Sequence, residues 1–217
     1  MKLEIFSDVA CPWCYIGKTK LEAALLAFAE SNPDAAPLEV RYRPYLLQPD
    51  LTGPSRPELE YLTERFGPQA ATMTDRVAAA GAEVGLEMRF DRAVAAPTRL
   101  AHQLVETAWE LGGEAAQRRT ADELFRAHFT TGEDVSDQAV LEAVADRAGL
   151  PDEAAEQALT RPEIAAAVEA SLAEAAQLGI QAVPTFVVDR SIAVQGAQPS
   201  ETLLALLEKA QELAAQS

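Results

Sequence analysis

The chain has 217 residues, 48% hydrophobic and 24% charged, a balance typical of a globular protein with one domain or a core fold carrying a large insertion. Its formal net charge of −16 argues against a nucleic-acid partner, because a phosphate-tracking groove needs clustered Lys and Arg. No apolar run approaches the roughly 18 residues that span a bilayer. Met1-Lys2-Leu3-Glu4 also enters a strand without the basic and long apolar regions of a secretory leader. The expectation is a cytoplasmic protein with neither a membrane nor a nucleic-acid partner.

Leu3–Phe6 reads as a short strand, followed by a helical pattern from about Pro12 to Glu30 with Leu21, Leu25 and Phe28 on one stripe, broken at Asn32-Pro33-Asp34. Leu38–Tyr42 alternates as a second strand, so the first fifty residues form a β–α–β unit whose crossover implies parallel strands. From Pro57 to Leu178 the chain is rich in Ala, Glu and Leu. Helical segments are expected at about Gln69–Val84, Thr98–Leu111 with Gly112 as its stop, Ala121–Phe129, a segment capped by Ser136 or Asp137, and a last one opened by Pro162 and ended by Gly179. Thr185–Val188 and Ile192–Val194 form a hairpin candidate, and a final amphipathic helix starts at Pro199-Ser200-Glu201. Removing the helical block leaves the element order of a thioredoxin-type domain. The expected fold is therefore α/β: a thioredoxin fold from residues 1–56 and 179–217, with a large inserted all-α domain at 57–178.

The only two cysteines stand as Cys11-Pro12-Trp13-Cys14, directly after the first strand. At i and i+3 on a first helical turn they can close a disulfide, and the first can sit where unpaired N–H groups and the helix dipole stabilise a thiolate. Pro12 suits the first helical position, where its missing N–H costs nothing. A zinc site would need two further ligands, yet the chain has no third cysteine and its two histidines, His102 and His128, are not in paired ligand spacing, so no metal is expected. Both histidines fall on helical segments and read as surface or packing residues. A second feature is Val183-Pro184 at the head of a strand candidate. Proline is tolerated at a first strand residue; the other reading is a cis peptide packed against the cysteine pair. Asp8 and Glu4 are candidates for proton handling near Cys14, the competing reading being that Asp8 caps the helix and Glu4 lies on an accessible strand edge.

Ser7-Asp8-Val9-Ala10-Cys11-Pro12-Trp13-Cys14-Tyr15-Ile16-Gly17 and Gly179-Ile180-Gln181-Ala182-Val183-Pro184-Thr185-Phe186 resemble the two motifs of the DsbA-like thioredoxin superfamily. The chain is most similar to the cytosolic FrnE-like branch, which is related to 2-hydroxychromene-2-carboxylate isomerases and kappa-class glutathione transferases. Thr98–His102, Glu123–Phe129 and Gln195–Pro199 share the likeness. The resemblance implies a dithiol–disulfide oxidoreductase with Cys11 as nucleophile, Cys14 as resolving thiol, and Val183 with a cis Pro184 as the platform for the substrate backbone. Pro12 and Trp13 complete the expected substrate-binding set, Trp13 reading either as an exposed docking indole or as packing beneath the helices. No organic cofactor is implied beyond the redox-active pair itself. The implied partners are a protein or small-molecule thiol or disulfide, and a recycling reductase or low-molecular-weight thiol, since no third cysteine can relay electrons.

Two departures from the family pattern matter. Trp13 stands where a DsbA-type histidine often stabilises the thiolate, so a less oxidising couple is expected. The isomerase-like members usually carry serine for the reactive cysteine and asparagine before the Thr98 region; here Cys11 and Ala95-Ala96-Pro97 occupy those places. A glutathione-dependent isomerase or transferase is the alternative enzyme, and a chaperone-like peptide-binding module the non-enzymatic one.

Overall fold

The computed structural model describes residues 1–33, 35 and 37–214, so the Asp34 part of the expected break and the last three residues of the expected 179–217 segment lie outside it. Strand β1 (Lys2–Ser7) pairs in parallel with β2 (Glu39–Pro44), and the helix between them, α1, runs Pro12–Ser31. Six helices follow before the chain returns: α2 (Glu58–Phe66), α3 (Ala70–Ala82), α4 (Arg99–Arg126), α5 (Gln138–Arg147), α6 (Ala154–Thr160) and α7 (Pro162–Gln177). A two-residue ribbon, β3 (Arg56–Pro57) with β4 (Val94–Ala95), departs from an all-α insertion. Pro57, which has no N–H to donate, fits such a short edge pairing.

Strands β5 (Thr185–Val188) and β6 (Ile192–Gln195) then form an antiparallel hairpin, and α8 (Ser200–Ala214) closes the fold. The main sheet has the order β2-β1-β5-β6, with β1 and β5 antiparallel. This is the thioredoxin arrangement, with the helices between β2 and β5 as the insertion. Leu3 and Ile5 of β1 and Phe186 and Val188 of β5 join one apolar core with Leu21 and Phe28 of α1 and Leu203 and Leu207 of α8. Burying each such large side chain contributes about 1.5–3 kcal/mol.

The expected stop at Gly112 is present: α4 consists of two helical limbs with a break between them, and the second limb starts upstream of the expected Ala121. The chain leaves helical geometry at Gly112 (φ −151°, ψ 17°) and Gly113 (φ 61°, ψ −150°), and helix resumes at once. Gly113 takes a positive φ that costs a residue with a Cβ far more. At its far end α4 widens into a π turn at Ala127–Thr131, and the short α6 carries too little pattern to be read from sequence.

The insertion is bonded to the sheet by polar side chains. The backbone N–H of Tyr42 donates to Gln117 Oε1 at 2.8 Å, and Gln117 Nε2 donates back to the Tyr42 carbonyl at 3.2 Å. The Val40 N–H donates to Glu114 at 2.9 Å. Two side chains of α4 thus act as a further strand along the edge of β2 and satisfy groups that would otherwise be orphaned. Buried Lys18 of α1 pairs with Glu22 and with Asp122 of α4. Glu4 is not on an accessible edge: β1 is an inner strand and Glu4 is buried. Burial by itself would raise its carboxyl, but the hydrogen bond from Arg190 and the charges of Lys2, Arg190 and Arg43 outweigh that and hold it below the usual range.

Candidate active site

Cys11 is the N-cap of α1 and Pro12 its first residue. The loop that delivers it is short: the Cys11 N–H donates to the Asp8 carbonyl at 3.0 Å, so the chain turns from β1 straight into the helix. The Cys14 N–H donates to Cys11 Sγ at 3.3 Å, one of the helix-end donors that would otherwise lack a partner. The helix therefore presents both a hydrogen bond and its positive end to the first sulfur. Asp8 is not the cap; Cys11 occupies that position. Both cysteines are free thiols.

The two sulfurs differ in setting. Burial pushes the Cys14 thiol well above its usual range, and the hydrogen bond and charge of Cys11 push the same way. The Asp8 N–H and the Ser7 hydroxyl offset this in part. Cys14 thus stays protonated at neutral pH. Cys11 Sγ also lies 3.6 Å from the Val183 carbonyl oxygen, to which its S–H can donate. The Val183–Pro184 peptide is cis. Gly17, on the second turn of α1, lets the proline ring approach closely: a Cβ there would stand 2.8 Å from Pro184 Cγ. Sequence positions 11, 14, 183 and 184 therefore meet at one point.

Asp8 and His102 lie beside that point and hold its loops. Asp8 is buried, with one oxygen accepting from the Leu47 N–H at 2.7 Å and the other 3.3 Å from His102 Nε2. His102 Nε2 is also 3.1 Å from the Tyr45 carbonyl, which can only accept, so the proton sits on that nitrogen. Burial would raise the Asp8 carboxyl, but the hydrogen bond and charge of His102, with the Leu47 N–H and Thr98, outweigh it and hold it below its usual range. His102 thus ties α4 to the loops before α1 and after β2. Its sequence reading as a surface or packing residue misses this bond, because its partner is 94 positions away. Glu4, by contrast, is engaged by Arg43 and Arg190 and takes no part around Cys14.

A groove of about 260 Å³ opens on the Pro12–Trp13 side of the motif. Trp13 forms one wall and is 43% exposed, the part of the motif offered to solvent, while Cys11 and Cys14 are recessed at 3% and 2%. The other walls come from Leu47, Phe66, Met73, Val77 and Phe90. Of these, Phe66, Met73, Val77 and Phe90 belong to the insertion, and no sequence motif marks them as part of a site. The available signal was large apolar side chains on open helix faces: Phe66 and Met73 are 40% and 42% exposed.

The sequence profile of the DSBA-like thioredoxin domain matches residues 2–208. The chain belongs to the DSBA-like thioredoxin family. A probable DsbA oxidoreductase from Streptomyces coelicolor is 36% identical, with a TM-score of 0.84 over 97% of this chain and 89% of that one. The cytosolic disulfide reductase DsbM from Pseudomonas aeruginosa shares the fold at 23% identity and a TM-score of 0.65, over 98% of this chain and all of that one. A 2-hydroxychromene-2-carboxylate isomerase shares it at 15% identity and a TM-score of 0.64, over 100% of this chain and 97% of that one. No curated protein matches the chain.

Proposed function

We propose that the protein is a cytoplasmic dithiol–disulfide oxidoreductase in which Cys11 is the nucleophile and Cys14 the resolving thiol. The observation that carries this reading is the setting of Cys11 Sγ between the Cys14 N–H of the helix N-terminus and the Val183 carbonyl beside Pro184. In the reductive direction the Cys11 thiolate attacks one sulfur of a substrate disulfide. A Cys11–substrate disulfide forms and the other substrate sulfur leaves as a thiolate. Cys14 then loses its proton and attacks Cys11 Sγ; the Cys11–Cys14 disulfide forms, the second substrate thiol leaves, and two electrons have passed to the substrate. Run backwards, the same steps oxidise a substrate dithiol.

Burial of Cys14 keeps it from competing for the first attack and leaves it one helical turn from the mixed disulfide it must resolve. Val183 offers a backbone edge for a substrate segment, and Trp13 and Pro12 an apolar wall for its side chains. Electrons are replenished or removed by an external thiol or reductase. A small thiol such as glutathione is supported by a fold relative, the Pseudomonas aeruginosa disulfide reductase, whose structure was solved with glutathione.

The test is a Cys14→Ala variant mixed with a peptide disulfide. It should accumulate a one-to-one mixed disulfide on Cys11, seen by intact-mass spectrometry, that wild type resolves. Absence of any Cys11 adduct, or equal reduction of the peptide by Cys11→Ala, would overturn the reading. A glutathione-dependent isomerase, the second reading, draws support from the fold shared with 2-hydroxychromene-2-carboxylate isomerase. It requires turnover of a chromene-type substrate with no change in thiol count.

A further inference from the structure

The groove beside the cysteine pair has one acidic group on its floor. Glu58, in the first turn of α2, lines the groove while its side chain is only 9% exposed. Its Oε2 is buried and makes no hydrogen bond, although His128 Nε2 lies 3.1 Å away. His128 is fully buried in the π turn, and neither of its ring nitrogens has a hydrogen-bond partner. A buried carboxylate and a buried imidazole with unspent hydrogen-bonding capacity are costly, since such groups are almost always satisfied in proteins. π turns also collect at functional sites.

The walls around this acid are mostly apolar, with Trp13, Leu62, Phe66, Val77 and Phe90 among them and Gln48 and Thr74 as neutral polar members. The one cation on the groove, Arg65, is exposed at the rim, where its guanidinium donates to the Tyr61 hydroxyl and stacks on Phe66. An apolar channel ending in a carboxylate matches a lysine or arginine side chain, whose aliphatic stem covers apolar surface while its charged head needs an acceptor. The protein's net charge of −16 favours encounter with such cationic segments.

We propose that Glu58 is a specificity-determining residue that selects substrates carrying a basic residue next to the reactive cysteine, with His128 as the positioning residue behind it. This rests on the oxidoreductase reading above, because the selected residue is the neighbour of a disulfide cysteine. The basic head donates hydrogen bonds to the Glu58 carboxylate, and His128 Nε2 stands 3.1 Å behind its Oε2.

Three symmetric peptide disulfides test this, their single cysteine flanked on both sides by lysine, norleucine or glutamate. Pre-reduced protein is mixed with each in single turnover: each event converts one peptide disulfide to two peptide thiols and the protein dithiol to its disulfide. Wild type should reduce the lysine peptide on the order of tenfold faster than the norleucine peptide, the size of one charge-assisted hydrogen bond. The glutamate peptide should be slowest. Glu58→Gln should erase the lysine preference, so that its lysine and norleucine rates become equal, and His128→Gln should shrink the preference in the same direction. Arg65→Gln should leave the lysine preference intact and improve the lysine peptide at most slightly. Equal lysine and norleucine rates in wild type, which need no variant, would overturn the proposal while leaving the oxidoreductase reading standing. A lysine preference that survives in Glu58→Gln would also overturn it. If none of the peptides is reduced, the oxidoreductase reading falls and the proposal with it.

Discussion

Replacing Gly17 by alanine should weaken the fold and slow its chemistry, against the grain of helix propensity. In an isolated helix the change would add about 1 kcal/mol of stability, because glycine loses the most chain entropy on folding. In the structure the new methyl would stand 2.8 Å from Pro184 Cγ, 3.4 Å from Phe186 Cζ and 3.5 Å from the Ala197 Cα. Carbon atoms rest at about 3.5–4.0 Å, so the proline ring must yield by roughly 0.7 Å or more. Its φ is fixed by the ring, and the residue behind it is buried Thr185 at the head of β5. Overpacking of this kind costs about 1–3 kcal/mol, leaving a net loss of about 0–2 kcal/mol after the helix gain. The displacement also carries the Val183 carbonyl away from Cys11 Sγ, now 3.6 Å distant. A misplacement approaching 1 Å near reacting atoms can cost up to about 100-fold in rate. Urea unfolding of the reduced protein and single-turnover reduction of a peptide disulfide measure the two effects. A variant stabilised by the full helix increment, with an unchanged rate, would refute the idea that Gly17 exists to seat Pro184.

Trp13→Ala should raise KM for peptide disulfides by about 1–2 kcal/mol of lost binding while leaving kcat and the unfolding midpoint nearly unchanged, because the indole is a half-exposed wall and not a core residue. Asp8→Asn should destabilise the protein at pH 5 but not in strong acid. The folded carboxyl is held below its usual value of about 3.9, so its stabilisation is complete above that value and is lost as pH falls through the lower folded one. Denaturant midpoints should converge below about pH 4; a gap that widens in acid refutes this. In Cys11→Ser, iodoacetamide should alkylate Cys14 with a pH midpoint above the ordinary thiol value of about 8.5, because burial, the largest cause of the upward push, survives the substitution. Equilibration with a glutathione buffer should give a potential more reducing than the roughly −120 mV of DsbA, since Trp13 brings no charge to the first sulfur.

Much of the frame is local and so legible in the chain. The apolar run of β1, the N-terminal signals Pro12 and Cys11, the alternation of β2 and the hairpin before α8 each follow from spacing and propensity within a few residues. Cys11-Pro12-Trp13-Cys14 needs only four consecutive residues to be read as a dithiol, and its pairing with Val183-Pro184 comes from resemblance. The stop at Gly112 is equally local, because both glycines there leave helical geometry; that a second limb starts at once at Glu114 goes with its side chain bonding to the edge of β2.

What the sequence determined by itself is the chemistry available: two sulfurs one helical turn apart, a proline to head β5, and an acidic chain with no basic groove. What only the tertiary structure decided is the surroundings of those sulfurs. Asp8 meets His102 across 94 positions, Gln117 completes the edge of β2 across 75, and Glu58 of α2 comes within 3.1 Å of His128 in the π turn. The same residue types occur on ordinary helix surfaces, and nothing in their local spacing distinguishes them. A polar side chain acquires its role from the partner that burial forces on it, and that partner is chosen by packing between distant segments.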